Sequence, residues 1–473
     1  MKLTREGISL IGIRKQNKNR ISRHSMDMTQ GSIVRQLISF AFPLLIGNLF
    51  QQLYNTVDTW VVGNFVGDNA FAAVGSMGPI VNMFIGFFLG FSAGAGALIS
   101  QNFGAKNEDA IQKLVHTAMV MTFVMGLIFT VAGHLLTPLL LDFAKIPDAV
   151  RPDARTYLSI YFTGIMGLVF YNMGAAILRA VGDSKRPFYF LVVCAVMNTV
   201  LDLLFVIVFG MKVEGVALAT IISQSVSAVL IIIALMRTDS SVKLQLNKLK
   251  INWHLLGRIF ALGVPSALQV SITSFSNIFV QSYINYFGPN CMSGYTAYSK
   301  IDMLLFLPAQ SVSLATTTFV GQNLGCGQVT RARKGVSQSI FLSVGVTAAL
   351  MVPVLLFSGD VVRFFTSQEE SIRYGTLFLQ YITPFYVLTS FTQVYASALR
   401  GAGNSRAPMI IMVSSYVAFR QAYLAIMSRV CNEVIPIAMG YPLGWILCSV
   451  IFMIYYYTTP LDRHLKPVDN SRT

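Results

Sequence analysis

The chain is 473 residues long, 54% hydrophobic and only 12% charged, with a mean hydropathy of +0.61. That composition lies outside the soluble globular range and identifies a membrane protein. A formal net charge of +15 would suit a nucleic-acid binder, but the basic residues fall in short segments between apolar runs, which excludes that partner class and points to membrane topology.

A hydrocarbon core ~30 Å thick takes about 20 mostly apolar residues per helix. Twelve such spans are predicted, at residues 36–62, 70–100, 113–137, 156–178, 188–210, 214–236, 258–287, 293–321, 337–358, 374–399, 407–427 and 434–457. The first is preceded by a basic extension, residues 1–35, whose apolar run ISLIGI is too short for a signal-peptide core. MTQGSIVRQL, from Met28, would serve as an ordinary chain start. The expected organisation is this extension, a first half at 36–236, a linker at 237–257, a second half at 258–458 and a tail at 459–473. Most of the 35 Lys and Arg lie in the extension, in the tail and near residues 106–113, 179–186, 237–258, 331–334 and 400–406, all on one side of a twelve-span topology. The positive-inside rule then puts both termini and the linker in the cytoplasm. The five cysteines show no CxxC and no metal spacing, and read as small packing residues.

The two halves repeat one another. LRAVGDSKRP (178–187) returns as LRGAGNSRAP (399–408), and SQNFGAKNEDA (100–110) as GQNLGCGQVTR (321–331), at one common offset of 221 residues. A duplicated unit of six spans enters the membrane twice in the same orientation, so the expected fold is all-α, with twelve transmembrane helices in two six-helix bundles related by a pseudo-twofold axis along the membrane normal. Each decapeptide lies at the cytoplasmic end of the fourth span of its half. Gly182 and Gly403 permit the turn, Pro187 and Pro408 open the next helix, and the Arg and Lys anchor the turn at the anionic leaflet.

Asp58, Asp202, Asp302 and Arg420 are the ionisable residues inside the spans and away from their ends. Each costs at least ~2.5 kcal/mol at the bilayer centre and is a functional candidate by default. Asp58 ends a polar stripe of Asn48, Gln51 and Asn55 on one helix face, with Tyr54 one turn before it. Asn198 stands one turn before Asp202, which counts to ~22 Å from the cytoplasmic end of its helix, and Thr220, ~9 Å below the outer surface, reaches a similar level. The positions equivalent to the two acids in the second half are apolar, so the acids belong to the first half alone.

Asp58, Asp202, Asn198 and Thr220 are therefore a candidate cation site. Desolvation would let a carboxylate bind a proton on one side and release it on the other; the same oxygens could hold Na+, with Asn198 and Thr220 completing the shell. The proton is favoured. Arg420 is expected to snorkel or bond helix-end carbonyls, and Lys300 and Asp302 to pair locally or to face the central cavity. Gln51, Asn55, Phe275, Tyr283, Phe306, Phe385 and Tyr395 are candidate cavity residues, although packing is the commoner role for such aromatics. There is no GxxxxGK[ST] loop, no HExxH and no triad-like set among five scattered His, so neither ATP hydrolysis nor membrane enzymology is expected. The glycines of GFSAGAGALIS (90–100) read as close helix packing.

FPLLIGNLFQQLYNTVDTWVVGNFVGDNAFAAVG (42–75), the paired LRxxGxSxxP and QNxG motifs and the twelve spans together resemble the multidrug and toxic compound extrusion (MATE) family, from about Met28 to the last span. The resemblance implies a V-shaped pair of bundles that alternates between outward and inward openings and exports amphipathic, often cationic compounds in exchange for protons or Na+. It further implies a monomer without cofactor, multi-pass in a bacterial plasma membrane. YNTVD (54–58) and NTVLD (198–202) look like the signatures of the DinF-like branch, which implies a site of Tyr54, Asp58, Asn198, Asp202, Thr220 and Asn172. The NorM-like branch places acids in spans seven and ten; here those spans hold none. The rival reading is a flippase of lipid-linked saccharides or cell-wall precursors, which would want a strongly basic cavity.

Overall fold

The computed structural model describes residues 25–144 and 146–463; the bulk of the basic extension and the last ten residues of the tail lie outside the described residues. Among the described residues the chain is built of helices: α1 (Ile33–Val61), α2 (Asp68–Gly104), α3 (Glu108–Phe143), α4 (Arg151–Ala180), α5 (Lys185–Leu203) and α6 (Val213–Arg237) in the first half. The second half holds α7 (Trp253–Asn285), α8 (Pro289–Gly325), α9 (Val329–Leu356), the short α10 (Ser358–Arg363), α11 (Glu369–Ile382), α12 (Tyr386–Gly401), α13 (Arg406–Val413), α14 (Arg420–Val430), α15 (Val434–Ala438) and α16 (Gly440–Thr458). Eleven stretches among the described residues are long and apolar enough to cross a membrane.

The tenth span, expected as one helix over 374–399, is broken instead into α11 and α12 by a 3-10 turn at Thr383–Phe385. Pro384 lacks the amide that would continue the ladder, which is why the helix stops there. α2 and α8 overrun their expected ends at residues 100 and 321 because the QNxG segments continue the helix ~6 Å further.

The repeated decapeptide makes the same structure twice. The Asp183 carboxylate accepts from the Arg186 amide at 3.1 Å and the Asn404 side-chain Oδ1 from the Ala407 amide at 3.0 Å, so each caps the next helix. Gly182 (φ 86°) and Gly403 (φ 85°) occupy the left-handed conformation the turn needs.

The first helix of each half packs into the core of the other. Leu37, Phe40, Ala41 and Leu44 of α1 belong to the apolar cluster of the second half, and Leu255, Ile259, Leu262 and Ala267 of α7 to that of the first. The α2–α7 seam is glycine-made. A Cβ on Gly94 would lie 2.5 Å from the Gly263 amide nitrogen and one on Gly90 2.6 Å from that of Ala267, so no larger residue fits without parting the helices. The segment between the halves is docked, with Val242 and Leu244 buried and the amides of Gln245 and Asn252 donating to His116 Nε2 and Thr117 Oγ1 of α3.

Gly94→Leu is expected to lower the detergent melting temperature by several degrees, whereas Gly345→Leu, whose Cβ would meet nothing within 4 Å, leaves it unchanged. Equal melting of the two variants would contradict the seam.

Candidate functional site

Asp58 and Asp202 lie at the ends of α1 and α5, and each is followed within one turn by a π-helical segment, Val62–Val66 and Leu204–Val208. Such wide turns are frequent at functional sites. Beyond the acids the two segments meet in a dry valine cluster of Val61, Val62, Val206, Val213 and Val216, which seals that end of the bundle.

The carboxyls of Asp58 and Asp202 lie close enough to influence one another electrostatically. Tyr54 lies close to Asp58 and Gln51, and Tyr157 of α4 stands within electrostatic reach of both acids. Asp202 and Asn198 are completely buried. Asp58 Oδ1, both oxygens of Asp202, both polar atoms of Asn198 and the Tyr161 hydroxyl are nevertheless buried with no hydrogen-bond partner in the protein. Native interiors satisfy most buried polar groups, so such a concentration marks a place built to bind something. The oxygens suit a proton or a hard monovalent cation. No cluster of three or more His, Cys, Asp or Glu that could hold a metal ion exists among the described residues.

Of the expected site residues, the structure thus gathers Asp58, Asp202, Tyr54 and, through Tyr54, Gln51; Asn198, one turn before Asp202, is buried on that helix. Thr220 and Asn172 are buried as well, but their described hydrogen bonds run to their own helices, to the carbonyls of Val216 at 3.0 Å and Leu168 at 2.9 Å. Tyr157, Tyr161 and Cys194 are additions. The cysteine reads from sequence as packing, yet it stands within electrostatic reach of Tyr54 and Asp58 and beside Ser223 and Ser227 of α6. Its signal was the four-residue spacing Cys194, Asn198, Asp202, one helix face. Tyr157 and Tyr161 carry the same spacing on α4.

The second half departs from expectation in two places. Arg420 neither snorkels nor caps a helix: it is buried, donates to Ser276 Oγ at 3.1 Å and Asn277 Oδ1 at 2.7 Å of α7, and stacks 4.9 Å over the Tyr441 ring. Asp302 does not pair with Lys300, which is exposed; it accepts from the Tyr298 hydroxyl at 2.9 Å. Among the aromatic cavity candidates, Tyr395 is packed in the core against Tyr456, Tyr283, Phe306 and Phe385 pack on that core half-buried, and Phe275 stacks on Phe143 of α3 across the two halves at 6.1 Å. Asn55 is exposed and Gln51 half-buried.

The MatE family's sequence model matches residues 43–204 and 265–424, once in each half. The chain belongs to the MatE family. It is a multi-pass membrane transporter and not an enzyme. A probable multidrug resistance protein of Bacillus subtilis (strain 168), YpnP, is 28% identical over 430 residues, 91% of this chain and 96% of the relative. A second from the same organism, YoeA, is 28% identical over 437 residues, 90% of this chain and 94% of the relative. A solved structure described as the outward-facing conformation of a multidrug resistance MATE family transporter superposes with a TM-score of 0.86 at 22% identity, covering 92% of this chain and 98% of that one. The likeness establishes the fold, two bundles and twelve transmembrane helices.

Asp202→Leu is expected to raise the melting temperature, since it removes two buried unpartnered oxygens worth ~1–3 kcal/mol each, while abolishing transport. A lower melting temperature would show that the carboxylate is structural.

Proposed function

We propose that this MatE protein is a secondary multidrug exporter of a bacterial plasma membrane that exchanges extracellular protons for amphipathic, often cationic organic compounds by alternating access. The observation that carries the reading is the Asp58–Asp202 pair with its buried, unpartnered oxygens. A low-dielectric interior disfavours the doubly ionised pair, so the carboxyls take up protons when the site faces an acidic exterior and give them up when the site opens to the cytoplasm and a cationic substrate takes their place. Na+ would use the same oxygens and is the alternative coupling ion. The basic end of the bundle, with the QNxG and LRxxGxSxxP turns, is assigned to the cytoplasm by the positive-inside rule.

The energetics permit it. Holding a thousandfold gradient of substrate costs ~4.1 kcal/mol, and one charge crossing 100 mV supplies ~2.3 kcal/mol. A monovalent cationic drug exchanged for one proton cancels the potential, so two protons or a pH gradient are required; a pair of carboxyls accommodates both. The likeness to two probable multidrug resistance proteins of Bacillus subtilis supports the substrate class. A precursor flippase is disfavoured because the interior cation Arg420 is spent on Ser276, Asn277 and Tyr441, and Arg400 donates to Gln269 Oε1 at 3.2 Å.

Ethidium efflux from a pump-deficient host tests the proposal. The wild-type chain is expected to extrude dye, Asp58→Asn and Asp202→Asn to fall to the empty-vector rate, and collapse of the proton gradient, but not withdrawal of Na+, to stop the wild type. Because protons load from outside, alkalinising the medium at constant internal pH should slow efflux. Sensitivity to Na+ alone would replace the ion, and absence of efflux from well-expressed protein would bring the flippase forward.

A further inference from the structure

The paired QNxG motifs were duplicated without an evident task, and the structure assigns them one: we propose that Gln101 and Gln322 form a reciprocal latch that holds the cytoplasmic gate shut and so sets the balance between the two openings of the transport cycle. This rests on the alternating-access reading and is independent of which ion drives it.

Gln101, at the end of α2 in the first half, donates its Nε2 to the carbonyl of Gly401, the last residue of α12 in the second, at 2.8 Å. Gln322, at the end of α8, donates its Nε2 to the carbonyl of Ala180, the last residue of α4 in the first half, at 3.0 Å. Donors and acceptors are both related by the repeat offset, so this is one contact made twice across the pseudo-twofold axis. Terminal carbonyls have no partner inside their own helix, and each is supplied by the opposite half. Both glutamines are buried, Gln322 completely.

The backbones beside them touch just as reciprocally. A Cβ on Gly104 would stand 1.9 Å from the Gln322 carbonyl oxygen, and one on Gly325 1.9 Å from that of Gln101. The glycine of each motif therefore permits the approach that brings its glutamine across. Rocking the halves apart at this end breaks both bonds together, whereas opening at the opposite end leaves them intact.

One side of the latch carries an additional strap. The Met28 amide donates to Gln322 Oε1 at 2.9 Å, its carbonyl accepts from Asn323 Nδ2 at 3.1 Å and from Arg331, and its side chain is fully buried. Two residues earlier, the Met26 carbonyl oxygen lies 2.2 Å from where a Cβ on Gly182 would be, so residues 26–28 run between the first half's turn and the second half's helix ends. Gln322 thus makes one more described bond than Gln101, and its loss should weigh more.

The test is the distance distribution between spin labels at Asp109 and Arg333, exposed positions just past the latch on either half, measured in purified full-length protein carrying Gln101→Met, Gln322→Met or both. Each loss should raise the cytoplasm-open to closed ratio roughly threefold to tenfold, more for Gln322 than for Gln101, with the double variant near the product of the two. The apparent KM for ethidium presented from the cytoplasmic side should change with the same ranking. If a Met variant does not fold, Gln101→Glu and Gln322→Glu keep the shape and lose the donor, and are read in the same way. Unchanged distances in folded variants, or a change in melting temperature with no change in the open population, would overturn the proposal.

Discussion

Hydrocarbon offers a polar group nothing to bond, and the whole molecule follows from where its polar atoms are allowed to be. Backbone groups are satisfied inside helices, and the free carbonyls of Ala180 and Gly401 are met by glutamines from the opposite half. Side-chain hydroxyls turn back on their own helices, as Thr122, Thr137 and Thr316 do on the carbonyls four residues before them. Against that background the open valences around Asp58, Asn198 and Asp202 stand out. The proposed transport cycle accounts for them by filling and emptying these positions in turn.

The two ends of the bundle divide the work. Near the basic end, glycines at 94, 104, 263 and 325 let α2, α7 and α8 meet backbone to backbone, and polar residues lock across that contact. Further along α1 and α5, helical geometry loosens into two π-helical segments, and the carboxyl pair sits just below them under a valine seal. A protonation change there acts on segments whose hydrogen bonding is already irregular, which are the parts of a helix cheapest to rearrange. The second half has no equivalent acid pair; its interior is tied by Arg420, Tyr441, Tyr295 and Asp302 with their partners.

Much of this was legible in the sequence because the signals are periodic or repeated. Apolar runs predicted the spans, the offset of 221 predicted the pseudo-symmetry, and the placement of Asp58 and Asp202 inside the spans singled out the acids that the structure brings near one another. The misses have physical reasons. Pro384 sits in an apolar run that hydropathy reads straight through, although its missing amide breaks the helix. Tyr157 and Tyr161 look like packing until α4 brings them to α1 and α5. Arg420 has no acid within one turn, and local spacing cannot reveal partners on α7 and α16. The paired glutamines were visible as a repeat, but a donor reaching a helix end 300 residues away is a fact of tertiary structure.

The central claim is that the Asp58–Asp202 pair exchanges its proton for substrate, and the most direct measurement is proton release from purified detergent-solubilised protein in weakly buffered solution when ethidium is added. The account predicts stoichiometric release from the wild type and none from Asp58→Asn or Asp202→Asn that still bind the dye. Binding without release in the wild type, or equal release from the variants, would contradict it.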